Sequence, residues 1–170
     1  MNPRGIFDFP DPVNEVSARA VAAGVMVLCV IAIITGAAWL TLLIAYGFLA
    51  RVATGPTLSP LGQLVTRLVT PRLGLAPRYV PGPPKRFAQG MGAVLAVTAA
   101  LLAVGAGQQL AADAVLLLIA VAAALESAFG FCVGCKIFTI LMRIGVIPER
   151  ACAACADVHF DPPMRGEGGP

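Results

Sequence analysis

The sequence predicts an all-α integral membrane protein with four transmembrane helices, arranged as two helical hairpins. Hydrophobic residues make up 58% of the 170 residues, and charged residues make up only 12%. This composition gives more apolar surface than a soluble domain of this size can cover. No charged residue occurs between Ala20 and Ala50, and the stretch from Phe87 to Leu125 contains only Asp113. Each stretch exceeds the ~20 apolar residues that cross a bilayer.

The first apolar stretch is interpreted as a hairpin with helices at about residues 13–34 and 38–52. A single helix over this stretch would be about 45 Å long, which fits the membrane only with a steep tilt. The sequence Thr35-Gly36-Ala37 offers a turn between the two arms. Because the second arm is short, a topology with three crossings remains the alternative.

The second apolar stretch turns at Gly105-Ala106-Gly107, which predicts helices at about 85–104 and 110–129. Each hairpin is followed by a segment with apolar residues at helical spacing, at about 59–69 and 131–146. We expect both segments to be helices lying along the cytoplasmic membrane surface. Residues 1–160 then form a single membrane domain, and the Pro- and Gly-rich residues 161–170 a disordered tail.

The basic residues predict the orientation in the membrane. All twelve Lys and Arg residues lie before, between or after the hairpins, and neither hairpin tip contains one. Four crossings with both termini inside therefore place every basic residue in the cytoplasm, as the positive-inside rule prefers. Three crossings would put Arg4 and Arg19 outside. The net charge of only +3 does not indicate nucleic acid as a partner.

Two cysteine pairs are the strongest chemical signal in the sequence: Cys132-Val-Gly-Cys135 and Cys152-Ala-Ala-Cys155. Two cysteines three residues apart share one face of a helix, so their sulfurs can meet in a disulfide or around a metal. A helix beginning near Phe131 would favour a thiolate at the first pair through its N-terminal dipole. In the cytoplasm such thiols are expected to be catalytic or metal-bound rather than permanent structural disulfides.

Three interpretations of these four cysteines compete. The pairs can act as a dithiol relay that passes electrons or sulfur to each other or to a soluble partner. Their spacing also falls within the range of four-cysteine zinc sites, and an iron–sulfur centre uses the same ligands. The third interpretation is that they are incidental small residues. His159, the only histidine, lies near Cys155 and is a further candidate metal ligand.

Glu126 is a second candidate functional residue, because an acidic side chain inside a transmembrane helix is costly and suggests a partner, a proton route or a cavity. Its position near the cytoplasmic end of the last helix also allows it simply to reach water. On a straight helix it points away from Cys135.

The chain resembles the bacterial membrane family called domain-of-unknown-function family 4395. The resemblance runs from about Asn14 to Asp157 and is carried by GFLARVATGPTLSPLG, PGPPKRFAQG, ESAFGFCVGC and LMRIGVIPERACAACAD. It implies a multi-helix protein of the bacterial inner membrane with a CxxC at the end of its last transmembrane helix. Genes of this family often lie near thioredoxin-like and sulfurtransferase genes, which favours the thiol interpretation.

The leading functional hypothesis is therefore a membrane protein that faces the cytoplasm and uses its dithiols for redox or sulfur transfer with a thioredoxin- or rhodanese-like partner. The first alternative is an assembly module in which Cys132, Cys135, Cys152 and Cys155 bind zinc or an iron–sulfur centre. The second is a small-solute transporter subunit that uses Glu126. No sequence motif of a hydrolase or a phosphate-binding loop is present.

Overall fold

The computed structural model describes residues 9–148 and 151–152, and this part of the chain is mostly helical. Two π-helical turns interrupt or extend the α-helices: Val65–Val69 joins α3 to α4, and Leu101–Gly105 continues α5. The elements in chain order are β1 (Val13–Asn14), α1 (Glu15–Thr35), α2 (Ala38–Thr54), α3 (Pro60–Leu64), α4 (Thr70–Leu73), β2 (Tyr79–Val80), α5 (Gly82–Ala100), α6 (Gln109–Phe129) and α7 (Val133–Arg143).

Three helices are long and apolar enough to cross a membrane: α1, α5 together with its π-helical extension, and α6. The apolar helix α2 has 17 residues, at the lower limit for a crossing. The mostly helical fold agrees with the all-α class predicted from the sequence. α1, α2, α5 and α6 overlap the four predicted helices, and α7 overlaps the second predicted surface helix.

Large apolar side chains on the outside of these helices are consistent with a lipid environment. Ile34, Leu110 and Val94 are 78%, 85% and 68% exposed, and each belongs to or adjoins an apolar helix. Such a surface is unfavourable in water and neutral in hydrocarbon. The interior is filled largely by small residues, including Ala32, Ala96, Ala99 and Ala112, which let the helix backbones approach closely.

Contacts between helices place the start of α1, the end of α2, the start of α5 and the end of α6 at one end of the bundle. Arg19 donates hydrogen bonds to the carbonyl oxygens of Ser127 and Ala128, and Arg51 donates one to Gln89. α1 packs mainly on α6, and α2 mainly on α5. Most of the chemically distinctive residues lie at this end, which we call the polar end of the bundle.

Local interactions determine where α1 begins and ends. Asn14 caps α1 by accepting a hydrogen bond from the backbone N–H of Val16 at 3.0 Å. Gly36 ends the helix with a φ of +62°, which glycine adopts without strain. Beside the cap, β1 and β2 form a two-residue antiparallel pair, in which Val13 lies opposite Val80. This short pairing, which the sequence does not predict, ties the connector before α5 to the start of α1.

Candidate functional site

The first cysteine pair lies at the beginning of α7, directly after the last long helix. Gly130 ends α6 with a φ of +68°, and Cys132 occupies the N-cap position of α7 with extended backbone angles. Cys135 follows within the first turn of α7, where backbone N–H groups point toward the helix start. Both cysteines are free thiols in the structure; Cys132 is 7% exposed, and Cys135 is half-buried.

Gly134, between the two cysteines, allows α7 to lie directly on α5. A Cβ atom at this position would come within 2.6 Å of both the Cα and the Cβ of Ala88 on α5. One turn further along, the rings of Phe87 and Phe138 pack with their centroids 5.6 Å apart. The glycine therefore brings the start of α7, with its two thiols, against the polar end of the bundle.

The two thiols are not equivalent. The Cys135 side chain donates a hydrogen bond to the Cys132 sulfur, which lowers the pKa of Cys132 below its ordinary value of 9.0. The positive charge of Lys85 lowers it further, whereas burial and the Glu126 carboxylate oppose the shift. The pKa of Cys135 is raised, because its proton is held in the hydrogen bond to Cys132. When one proton is lost from the pair, the charge therefore resides mainly on Cys132.

A buried ion pair lies beside the thiols. Lys85 Nζ, at the start of α5, is 2.6 Å from Glu126 Oε1, near the end of α6, and the two side chains are 9% and 16% exposed. Glu126 thus has a specific partner instead of simply reaching water. The expectation that Glu126 points away from Cys135 assumed one straight helix, but α6 ends at Gly130 and Cys135 lies on α7. Glu126 lies in the electrostatic environment of both thiols.

Arg51, near the end of α2, is a further buried charge at the polar end and is only 5% exposed. Its Nε donates a hydrogen bond to Gln89 Oε1 at 2.9 Å, and its Nη1 donates one to Ser59 Oγ at 3.2 Å. Its guanidinium also lies 4.5 Å from the centre of the Phe48 ring. Within residues 9–148 and 151–152, no carboxylate lies at salt-bridge distance from Arg51.

Two cavities meet this cluster. The first, of about 180 Å³, lies between α1, α2, α5, α6 and the start of α7, and we call it the bundle cavity. Its polar lining includes Arg51, Gln89, Glu126 and Cys132. The second, of about 260 Å³, lies on the side of β1 and α3 and shares Arg51 and Gln89 with the first. Cys132 lines the bundle cavity, whereas Cys135 lines neither.

The other predicted site residues are only partly described. Cys152 is buried, at 4% exposed, whereas Cys155 and His159 lie outside the described residues. In the described part of the chain, no three His, Cys, Asp or Glu side chains are grouped as metal ligands would be. Cys29 is fully buried in the interior of α1, away from the first pair.

Lys85 and Arg51 were not singled out in the sequence, where both counted only as basic residues near helix ends. A signal for Lys85 was present, however. Lys85 precedes the turn at 105–107 by nearly the same number of residues as Glu126 follows it, so a hairpin places them at the same depth. For Arg51 we find no comparable signal, because its partners Gln89 and Ser59 are neutral and Gln89 lies 38 residues away in the chain.

Comparison with known proteins gives one match. A family model described as "Domain of unknown function (DUF4395)" matches residues 13–143, about three quarters of the chain, which includes Cys132, Cys135, Lys85 and Glu126. No curated protein and no solved structure matches the chain significantly.

Proposed function

This chain belongs to the DUF4395 family, and we propose that it is an integral membrane thiol protein whose Cys132–Cys135 pair exchanges electrons with a soluble thiol protein. The observation that carries the proposal is the unequal pair of free thiols at the start of α7, with a cation beside it. Incidental cysteines have no reason to occupy a helix N-terminus next to a buried lysine. Thioredoxin-like or rhodanese-like proteins of the cytoplasm fit the role of partner.

The exposures and pKa directions of the two thiols suggest separate roles in exchange. In the oxidised protein, a partner thiolate attacks the sulfur that it can reach, and Cys135 is the more exposed of the two. The bond between Cys132 and Cys135 breaks, and Cys132 leaves as a thiolate. A sulfur with a low pKa is the better leaving group, and Lys85 stabilises its charge. The second thiol of the partner then displaces Cys135, which leaves this protein as a dithiol and the partner as a disulfide.

Membrane sidedness is part of the same proposal. We propose four crossings, with α2 as the fourth helix, and the polar end of the bundle in the cytoplasm. The basic side chains of Arg19, Arg51, Lys85 and Arg86 all belong to helix segments at this end, which the positive-inside rule favours for the cytoplasm. The dithiol would then meet cytoplasmic partners rather than partners outside the cell.

Trapping of mixed disulfides in membranes tests the exchange. With Cys132→Ser, no neighbouring thiol can resolve a mixed disulfide between Cys135 and its partner. We therefore expect disulfide-linked partners to accumulate on Cys135. With Cys135→Ser we expect fewer, because Cys132 is buried. Cys29→Ser, in the interior of α1, is the matched control and should leave trapping unchanged. If neither variant of the pair traps a partner above the control, the proposed exchange is wrong.

A further inference from the structure

The bundle cavity is apolar except at one end. Its walls are formed mainly by aliphatic residues of α1, α5 and α6, and Arg51, Gln89, Glu126 and Cys132 supply its polar groups. Leu118, which forms part of one wall, is 56% exposed on the outer surface of α6. The cavity therefore adjoins the surface that faces lipid. A molecule dissolved in the bilayer can approach it without passing through water.

The size of the cavity suits a single ring. At about 180 Å³, it is slightly larger than the roughly 150 Å³ apolar cavity that accepts benzene in an engineered protein. Apolar walls suit the faces of such a ring, and the polar end offers hydrogen-bond donors to an oxygen on its edge.

The charges at the polar end also indicate which chemical group the bound ring carries. Lys85 and Glu126 neutralise each other, whereas the hydrogen-bond partners of Arg51 are neutral groups. Among the described residues no carboxylate lies at salt-bridge distance from Arg51, although Glu126 lies within its electrostatic environment. A buried guanidinium whose hydrogen-bond partners are neutral stabilises negative charge that develops on a nearby oxygen. A carbonyl oxygen that gains electrons is such an oxygen, and Cys132 on the same cavity wall is a source of electrons.

We propose that the bundle cavity binds the ring of a membrane quinone and that the Cys132–Cys135 dithiol exchanges two electrons with it. The inference rests on the proposed dithiol function and adds the second redox partner. Cys135 faces the soluble thiol protein, and Cys132 faces the quinone inside the bundle. The chain thereby connects cytoplasmic thiols to the quinone of the membrane.

The reaction balances in two steps. The Cys132 thiolate attacks the quinone ring and forms a sulfur–carbon bond, and the ring oxygen near Arg51 takes up the negative charge. Cys135 then attacks the Cys132 sulfur, which forms the disulfide and breaks the sulfur–carbon bond. The electron pair of that bond stays on the ring. The proton of Cys135 and one proton from water complete the quinol, so that one dithiol and one quinone give one disulfide and one quinol.

The experiment uses the full chain in lipid nanodiscs, reduced and then mixed with a short-chain benzoquinone. Its ring is fully substituted, so that it cannot arylate the thiols permanently. Quinol absorbance and free thiols are measured together. We expect one quinol for every two thiols lost, and no quinol with Cys132→Ser. Arg51→Gln, which keeps hydrogen-bond donors but removes the charge, should slow quinol formation.

Substitutions of two alanines of α6 distinguish an effect on the cavity from a general effect on the fold. Ala122 lines the cavity, and Ala124 is also half-buried on α6 but does not. Ala122→Leu should slow quinol formation on the order of tenfold, equivalent to ~1.4 kcal/mol of binding or barrier. Ala124→Leu should not slow it. Both variants should keep their exchange with a soluble thioredoxin-like protein, which is measured separately.

The outcomes distinguish the two proposals. If wild-type protein exchanges with the soluble partner but forms no quinol, the cavity is a packing void or holds a lipid chain, and the quinone inference is wrong. Equal slowing by Ala122→Leu and Ala124→Leu would also exclude the cavity as the quinone site. If wild-type protein exchanges with no soluble thiol protein, while quinol is still formed, the proposed partner reaction is the part that fails.

Discussion

Individual side chains at the polar end of the bundle differ in how their charge is compensated. Lys85 is paired with Glu126 at 2.6 Å, and Cys132 obtains its low pKa from the Cys135 hydrogen bond and the Lys85 charge. Each of these effects depends on burial, because water would screen the same charges at the surface. The reactivity of the dithiol is therefore expected to respond to substitutions that do not touch sulfur.

Replacing Lys85 should raise the pKa of Cys132. In a background with Cys152→Ala and Cys155→Ala, Lys85→Met takes a positive charge from the pair and leaves Glu126 without its partner, and both changes raise the pKa of Cys132. Cys135→Ala removes the hydrogen-bond donor and acts in the same direction. Ultraviolet thiolate absorbance, followed as the pH rises, should begin below the ordinary pKa of 9.0 in the parent and at higher pH in both variants. An unchanged midpoint of the thiolate titration in both variants would contradict the proposed effects of Lys85 and Cys135 on the pKa of Cys132.

The ion pair should also matter for stability. Lys85→Met leaves a buried carboxylate without its partner, which typically costs about 3–5 kcal/mol. Replacement of both partners, as in Lys85→Met with Glu126→Leu, removes the unpaired charge and should restore most of the loss. Thermal unfolding in one detergent measures all three proteins. A double variant less stable than the single variant would show that the pair is not coupled in the way proposed.

Close packing of α7 on α5 positions the dithiol. α7 approaches α5 because Gly134 meets Ala88 with no side chain between them, and the Phe87 and Phe138 rings fill the adjacent space. The αL conformation of Gly130 ends α6 just before the pair, so the chain can turn and begin α7 at Cys132. These two glycines therefore position α7, which packs mainly on α5.

Gly134→Ala should displace α7. The added Cβ would lie 2.6 Å from two Ala88 carbon atoms, so one helix must shift, at a cost of about 1–3 kcal/mol. We expect a lower unfolding temperature and a higher Cys132 pKa, since the thiols move away from Lys85. The matched control is Gly90→Ala on α5, where the added Cβ meets nothing within 4 Å. There alanine should be neutral or stabilise the helix by up to ~1 kcal/mol.

The whole molecule combines three helices suited to crossing a membrane with a shorter fourth one, α2. The small residues of its interior bring the backbones together, and the large apolar residues face outward. Because the helix ends with basic and reactive residues meet at one end, the orientation proposed for the membrane determines which compartment supplies the proposed partner of the dithiol.

Labelling with a membrane-impermeant maleimide tests the orientation and the number of crossings. In a protein whose native cysteines are serines, Thr35→Cys and Gln108→Cys place thiols at the two proposed outer turns, and Leu75→Cys places one in the proposed cytoplasmic connector. All three positions are exposed. We expect the first two to label in intact bacterial cells and Leu75→Cys only after permeabilisation. If Gln108→Cys labels in intact cells but Thr35→Cys only after permeabilisation, α2 does not cross.

The sequence by itself determined the presence of helices apolar and long enough to cross a membrane, the helical class and the family, because hydropathy, helix length and short motifs are local properties of the chain. It also identified Cys132, Cys135 and Glu126 as candidates, since a cysteine pair and an acidic residue in a long apolar helix are unusual wherever they occur. Only the tertiary structure decided that Glu126 pairs with Lys85, that the hydrogen-bond partners of Arg51 are neutral, and that Cys132 rather than Cys135 lines the bundle cavity. These relations join residues far apart in the chain, and their strength depends on burial, which no local pattern encodes.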